Sequence, residues 1–162
     1  MKYGMIPFFI PHVGCPHVCT FCNQSRITET VGIGHLTPEY IASTIKDYVG
    51  DSKNDKFWEV CFYGGSFSAI DKKLQKQLLK PAYEALQSGL IDSIRCSTRP
   101  DAVSDGQLEL LCSLGMKTIE LGVQSMDDTV LSLAKRGHTS DDVKVAVHQL
   151  RQFRFNVGLQ IL

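Results

Sequence analysis

The chain has 162 residues, 43% of them hydrophobic, and its 17 Lys plus Arg are balanced by 17 Asp plus Glu. That length amounts to one domain able to bury a sizeable core, and the zero net charge excludes a global electrostatic pull toward nucleic acid or an acidic membrane surface. No stretch can span a bilayer. The apolar run Met5 to Ile10 is broken by Pro7 and lacks the charged leader and cleavage site of a secretory signal. Six cysteines in a domain too large to need disulfides point to the reducing cytoplasm, where clustered cysteines act as ligands.

Taken in order, a first strand is expected over Tyr3 to Ile10, followed by a loop carrying Cys15, Cys19 and Cys22. Thr37 offers an N-cap and Pro38 a first helical position for a helix that places Ile41, Ile45, Tyr48 and Val49 inward and stops at Gly50. A second strand, Trp58 to Tyr63, ends at Gly64-Gly65-Ser66. A helix from about Asp71 to Ser88 buries Leu74, Leu78, Leu79, Ala82 and Leu86, with Pro81 kinking or dividing it. The third strand, Ser93 to Ser97, runs into Thr98-Arg99-Pro100. Ser104 and Gln107 have the form of a capping box, and the helix they open should bury Leu108, Leu111 and Cys112 before Gly115. A fourth strand, Thr118 to Val123, leads to Gln124-Ser125 and a short helix near Asp127 to Lys135. After the turn Arg136-Gly137-His138-Thr139, Ser140 starts a helix with Val143, Val147 and Leu150 inward, and the fifth strand is Asn156 to Leu162.

This alternation is α/β, repeated βα units on a parallel sheet. A buried parallel strand needs a covering helix and a neighbour, and nothing follows Leu162. The expectation is therefore one domain over residues 1–162, incomplete at its C-terminus and prone to associate when expressed alone.

The spacing Cys15-x3-Cys19-x2-Cys22 puts three thiols on one loop at the C-terminal end of the first strand, where parallel α/β folds bind ligands. Three chemistries are open. A structural zinc site would need a fourth ligand from His12, His17 or His35, and the usual paired C-x2-C knuckles are absent. Unligated core thiols are a second reading, although three bunched in a loop are poor core material. The third is a [4Fe-4S] cluster held by three cysteines with one iron open to a ligand.

With an aromatic residue, Phe21, directly before the last cysteine, the loop resembles the signature of the radical S-adenosylmethionine (SAM) superfamily. Tyr63-Gly64-Gly65-Ser66-Phe67 is similar to that family's glycine motif, apart from Ser66, where many relatives carry an acidic residue. GCPHVCTFCNQ, YGGSF, STRPD, ELGVQS and RGHT most resemble the branch containing the catalytic subunit of Elongator; oxygen-independent coproporphyrinogen oxidases are more distant. The resemblance implies a partial TIM-type (βα)6 barrel cut after its fifth strand. It implies a [4Fe-4S] cluster on Cys15, Cys19 and Cys22, and SAM bound by the backbone of Gly64, Gly65 and Ser66 and by Phe21, Ser97, Gln124, Arg136 and Gln160. It also implies an electron donor and, in the full-length protein, a transfer RNA uridine as substrate.

From the residues alone, Ser97 and Gln160 either contact a ligand or satisfy loop backbone. Gln124, at a strand mouth with an amide that donates and accepts, favours function. Arg136 is either a ligand contact or a solvated helix-end cation, and His138 a turn residue or substrate contact. Cys61, Cys96 and Cys112 fall at positions expected to be buried and inert. Arg99 and Asp101 are either local structure or face the substrate, and Arg99 is the one strand-end cation nominated to meet RNA. A noncatalytic module, zinc or electron-transfer Fe-S, is the alternative to the enzyme, but it has no need for motifs at the mouths of successive strands.

Overall fold

Alternation decides the first element: Lys2–Ile10 forms β1 with Gly4, Ile6, Phe8 and Ile10 buried on one face and Tyr3, Met5, Pro7 and Phe9 on the other. The computed structural model describes residues 2–10, 15, 17–22, 33–50 and 56–162; His12 lies outside these. β1 pairs only with β2 among the described residues, so the missing N–H of Pro7 is tolerated. Helix α1, Pro38–Val49, begins as the sequence implies: Thr37 Oγ1 accepts from the Tyr40 N–H at 3.2 Å. Its buried stripe is Ile41, Ile45 and Val49. Tyr48, expected inward, is half exposed at the rim of that stripe.

β2 spans Lys56–Gly64, and a 3-10 turn at Phe67–Ala69 leads to α2, Lys72–Gln87, capped by Asp71. α2 runs through Pro81 as one helix, so of the two outcomes expected for this proline division does not occur. The carbonyl four residues earlier belongs to exposed Gln77, where water can replace the lost hydrogen bond. β3 is Ser93–Thr98, followed by a 3-10 turn at Pro100–Ala102 and α3, Asp105–Ser113. The expected capping box does not form. The Ser104 side chain makes no cap bond, because Gln107 turns inward and donates Nε2 to Gln75 Oε1. Centring the buried face on Gln107, Leu108 and Leu111 rotates Cys112 out, so that thiol is exposed rather than buried. Cys61 and Cys96 are fully buried, and burial pushes the Cys61 thiol up to about 11.

β4 is Thr118–Gln124, α4 Asp128–Leu133 and α5 Ser140–Gln152; Thr139 and Asp142 form a reciprocal capping box on α5. β5 is Asn156–Ile161. The five strands are all parallel and lie in chain order, β1 to β5. That singly wound order, without a reversal point, is that of a (βα) barrel wall rather than a doubly wound sheet. Ile6, Phe8, Val60, Phe62, Ile94, Ile119 and Leu121 face the helices and form the core with Ile41, Ile45, Leu78, Leu79, Leu108 and Leu111. Every strand therefore delivers its C-terminal end to the same rim.

Candidate functional site

At that rim, the ends of β2 to β5 and the turn after α4 meet the cysteine loop. Gly64, Gly65, Ser97, Thr98, Arg99, Gly122, Gln124, Arg136 and Gln160 line one cavity of about 150 Å³ with Cys15, His17, Cys19, Phe21 and Cys22. Every predicted cofactor-binding residue except Ser66 is among them. Among the described residues no group of three Cys, His, Asp or Glu side chains is gathered as a ready metal site, so the three thiols share a cavity without converging on a point.

Arg136 ties the loop to the barrel wall. It is buried rather than solvated: Nη1 donates to Cys19 Sγ at 3.2 Å, Nη2 donates to the Gly122 carbonyl, and the guanidinium lies 5.7 Å from the Phe21 ring centroid. Its Nε is buried without a partner. A Cβ on Gly122 would stand 3.3 Å from Arg136 Nη2 and 3.5 Å from Gln124 Nε2, so the glycine makes room for both polar heads. The loop itself is pinned by Thr20 N–H to the Ala134 carbonyl at 3.1 Å.

Arg99 is used differently. Its Nε and Nη2 grip the two Asp101 oxygens at 2.8 and 3.2 Å, and Nη2 also donates to the Arg136 carbonyl. Only 4% exposed, Arg99 is internal structure and does not present its charge to RNA. Asp101 in turn faces His17 Nε2 at 3.9 Å, and the His17 ring sits where a side chain on Gly137 would be.

The turn after β2 depends on one backbone conformation. Gly64 has φ +111, and a Cβ there would collide with the Ile10 carbonyl, which accepts from the Gly65 N–H at 2.9 Å. Ser66 lies just behind the cavity wall, 1% exposed, with Oγ 2.9 Å from Thr98 Oγ1 and accepting from the Arg99 N–H at 3.3 Å. Its hydroxyl is thus spent on holding β2 to β3.

On β4 the register shifts between Gly122 and Gln124, and Gln124 takes φ +70, turning its side chain into the cavity. His138 supports this bend. Its Nε2 lies 3.2 Å from the Val123 carbonyl, which can only accept, so Nε2 carries the proton and buried Nδ1 has no partner. Burial, then the nearby Arg136 charge, lowers the His138 pKa below 6.5. Beside the bend, Phe21, Gln124, Met126, Val130, Leu131 and Ile161 line a second, more apolar hollow of about 550 Å³.

Below the rim, the concave face carries polar residues that the sequence patterns do not single out. Tyr3 on β1 donates to Glu59 on β2, which accepts from Arg95 Nε on β3 at 2.7 Å. Arg95 Nη1 donates to Glu120 on β4, and Glu120 Oε2 accepts from Gln160 Nε2 on β5 at 3.0 Å. One residue from each strand thus completes a hydrogen-bonded belt. Burial opposes the Arg95 charge, but Glu59 and Glu120 outweigh it and raise its pKa, while burial and Glu59 push the Tyr3 phenol up to about 12. The signal that could have found them is charge inside apolar strand runs, at the alternate positions that face away from the helices.

The chemistry of this lining fits a sulfur-ligated cluster with an amino-acid cofactor beside it: three thiols, a buried guanidinium with an unpartnered N–H, and a rim too tight at Gly64 for any side chain. Residues 9–162 match the family model described as the Radical SAM superfamily. Among curated relatives, the chain is 25% identical over 161 residues to a heme chaperone HemW of Lactococcus lactis, covering 99% of this chain and 40% of that protein. It is 30% identical over 116 residues to a tRNA uridine(34) acetyltransferase of Dehalococcoides mccartyi, covering 61% of this chain and 25% of that one. The chain therefore spans well under half the length of these relatives. Among solved structures, Methanocaldococcus infernus Elp3 superposes with a TM-score of 0.70 at 19% identity, covering 100% of this chain and 38% of that one. Methylornithine synthase (PylB) superposes with a TM-score of 0.66 at 16% identity, covering 99% and 45%. Both likenesses support the partial TIM-type barrel.

Proposed function

This chain belongs to the radical SAM superfamily, and from that premise we propose that Cys15, Cys19 and Cys22 hold a [4Fe-4S] cluster with which it cleaves SAM reductively. The observation that carries the proposal is the shared cavity: cysteines from one loop and polar groups from four successive strand ends line the same space. Held by Cys15, Cys19 and Cys22 and reduced by an external donor, such a cluster would supply the one-electron chemistry for reductive cleavage of the SAM carbon–sulfur bond.

The remaining roles belong to this chain's residues. Arg136 has an unpartnered Nε that would be available to a cofactor carboxylate, and it donates to Cys19 Sγ, a kind of hydrogen bond that tunes cluster potentials. Gly64 and Gly65 give backbone access to the methionine amino group, and Ser66 contributes through the backbone it holds, its side chain being committed to Thr98 and Arg99. Ser97 and Gln160 would meet the ribose and Gln124 the methionine end, while Phe21 would cover the cluster side; it borders the apolar hollow, which suits a planar adenine. A noncatalytic zinc module is disfavoured, since a closed four-ligand site has no use for these strand-end groups.

By likeness to the tRNA uridine(34) acetyltransferases, the substrate class is a transfer RNA uridine, reached within a longer protein of which residues 1–162 are the incomplete radical SAM domain, with an external electron donor. No helix among the described residues is long and apolar enough to cross a membrane. Reduced thiols suit the cytoplasm, where we place it.

Anaerobic reconstitution with iron and sulfide, followed by electron paramagnetic resonance with and without SAM, tests the proposal. The expected result is a [4Fe-4S]⁺ signal that changes when SAM is added, and 5′-deoxyadenosine formed under reduction. Zinc in the purified protein, or a spectrum indifferent to SAM, would overturn it.

A further inference from the structure

We propose that Glu120 is a positioning residue, which sets Gln160 and Ser97 to recognise a ligand that offers hydroxyl donors. This rests on the cofactor reading above and assigns a role to a residue outside the cofactor contacts.

Glu120 is the last charged member of the belt and meets both side chains. Gln160 Nε2 donates to its Oε2 at 3.0 Å, Ser97 Oγ donates to the same oxygen at 3.5 Å, and Gln160 Nε2 also reaches Ser97 Oγ at 3.5 Å. A carboxylate can only accept, so the amide nitrogen of Gln160 and the hydroxyl hydrogen of Ser97 must both turn toward Glu120. What each leaves for the cavity is an acceptor: the Gln160 carbonyl oxygen and the Ser97 lone pairs. Two acceptors at the rim select a ligand with donors, such as the vicinal hydroxyls of a ribose, over one with acceptors there.

The belt fixes this polarity. Arg95 binds Glu120 through Nη1 and Glu59 through Nε, and Glu59 is only 2% exposed. Glu120 is thus held as an ion-paired acceptor before any ligand arrives, the preorganisation a recognition site needs. Gly158 on β5 leaves space for it: a Cβ there would lie 2.9 Å from Glu120 Cγ. A purely structural belt would tie the strands together equally well without ending on two side chains of the cavity.

The test compares the cluster-reconstituted wild type with Glu120→Gln, measuring equilibrium affinity for SAM and for its 2′,3′-dideoxyribose analogue. The amide introduced by this substitution carries no charge and can donate as well as accept, so it no longer fixes the orientation of Gln160 and Ser97. The expected result is SAM affinity weakened by up to about tenfold, roughly one hydrogen bond's worth of lost preorganisation, with affinity for the dideoxy analogue unchanged. Gly158→Ala keeps every partner but crowds Glu120, and should reduce the preference for SAM over the analogue in the same direction. It serves if Glu120→Gln fails to fold. Equal losses for both ligands, or no loss for either, overturn the inference while leaving the cofactor reading intact. A wild type that binds neither ligand overturns the cofactor reading and this inference with it.

Discussion

Gly64→Ala isolates the backbone demand of the rim, and Gly89→Ala supplies its control. Gly89 follows α2 with φ +70 and has nothing within 4 Å of a would-be Cβ, so alanine there meets strain alone. Left-handed backbone costs an L-residue about 1–2 kcal/mol, partly offset by about 0.4–1 kcal/mol because alanine restricts the unfolded chain. Gly89→Ala should therefore lose about 1 kcal/mol. Gly64 adds a collision with the Ile10 carbonyl, the loss of the Gly65 N–H bond to that oxygen at about 1 kcal/mol, and local overpacking of about 1–3 kcal/mol. Gly64→Ala should thus lose about 3–5 kcal/mol in urea denaturation and retain less iron per chain after reconstitution. Equal losses for the two variants would refute the reasoning, since the steric part would then be absent.

Two other outcomes are expected. Because the folded pKa of His138 is depressed, the unfolded chain takes up this proton first as pH falls. Stability should therefore decline below about pH 6.5, by at most about 1.4 kcal/mol per pH unit, until the folded form also titrates. His138→Gln, which keeps a donor for the Val123 carbonyl, should flatten the urea midpoint over that window; an unchanged pH profile would count against a buried neutral imidazole. Native alkylation with iodoacetamide, read by peptide mass spectrometry, should label Cys112 and spare Cys61 and Cys96; labelling of the latter pair at the rate of Cys112 would contradict the packing of β2 and β3.

The parts of the fold legible in the sequence were those governed by local rules. Thr37-Pro38 starts α1, Asp71 and Asp127 cap α2 and α4, and the apolar runs that became strands end at the glycines and Pro100, where the rim begins. What escaped was decided by partners far away in the chain. Ser104 and Gln107 have the right spacing for a capping box, yet Gln75, 32 residues earlier, claims the Gln107 amide, and the rotation that follows exposes Cys112. Charge inside an apolar run marks Glu59, Arg95 and Glu120 singly, but only the pairing of β2 with β3 and of β3 with β4 brings them into one belt. The cysteine loop was legible because its spacing is itself the signal.

The two rim arginines show why residue type alone does not assign a role. Arg99 and Arg136 both follow strand or helix ends and both are buried, at 4% and 7% exposure. Arg99 is bound through Nε and Nη2 by Asp101 and the Arg136 carbonyl, so its charge is balanced and its donors are directed into structure. Arg136 has no carboxylate among its hydrogen-bond partners, which are a sulfur and a carbonyl, and its Nε is buried without one. A buried unpaired donor on a cation costs on the order of 1–3 kcal/mol or more, which a bound anion would offset. Arg99 thus acts as the strut that holds the Arg136 carbonyl in place. Arg136 is the cation with capacity to spare, which favours it over Arg99 as the contact for a cofactor carboxylate.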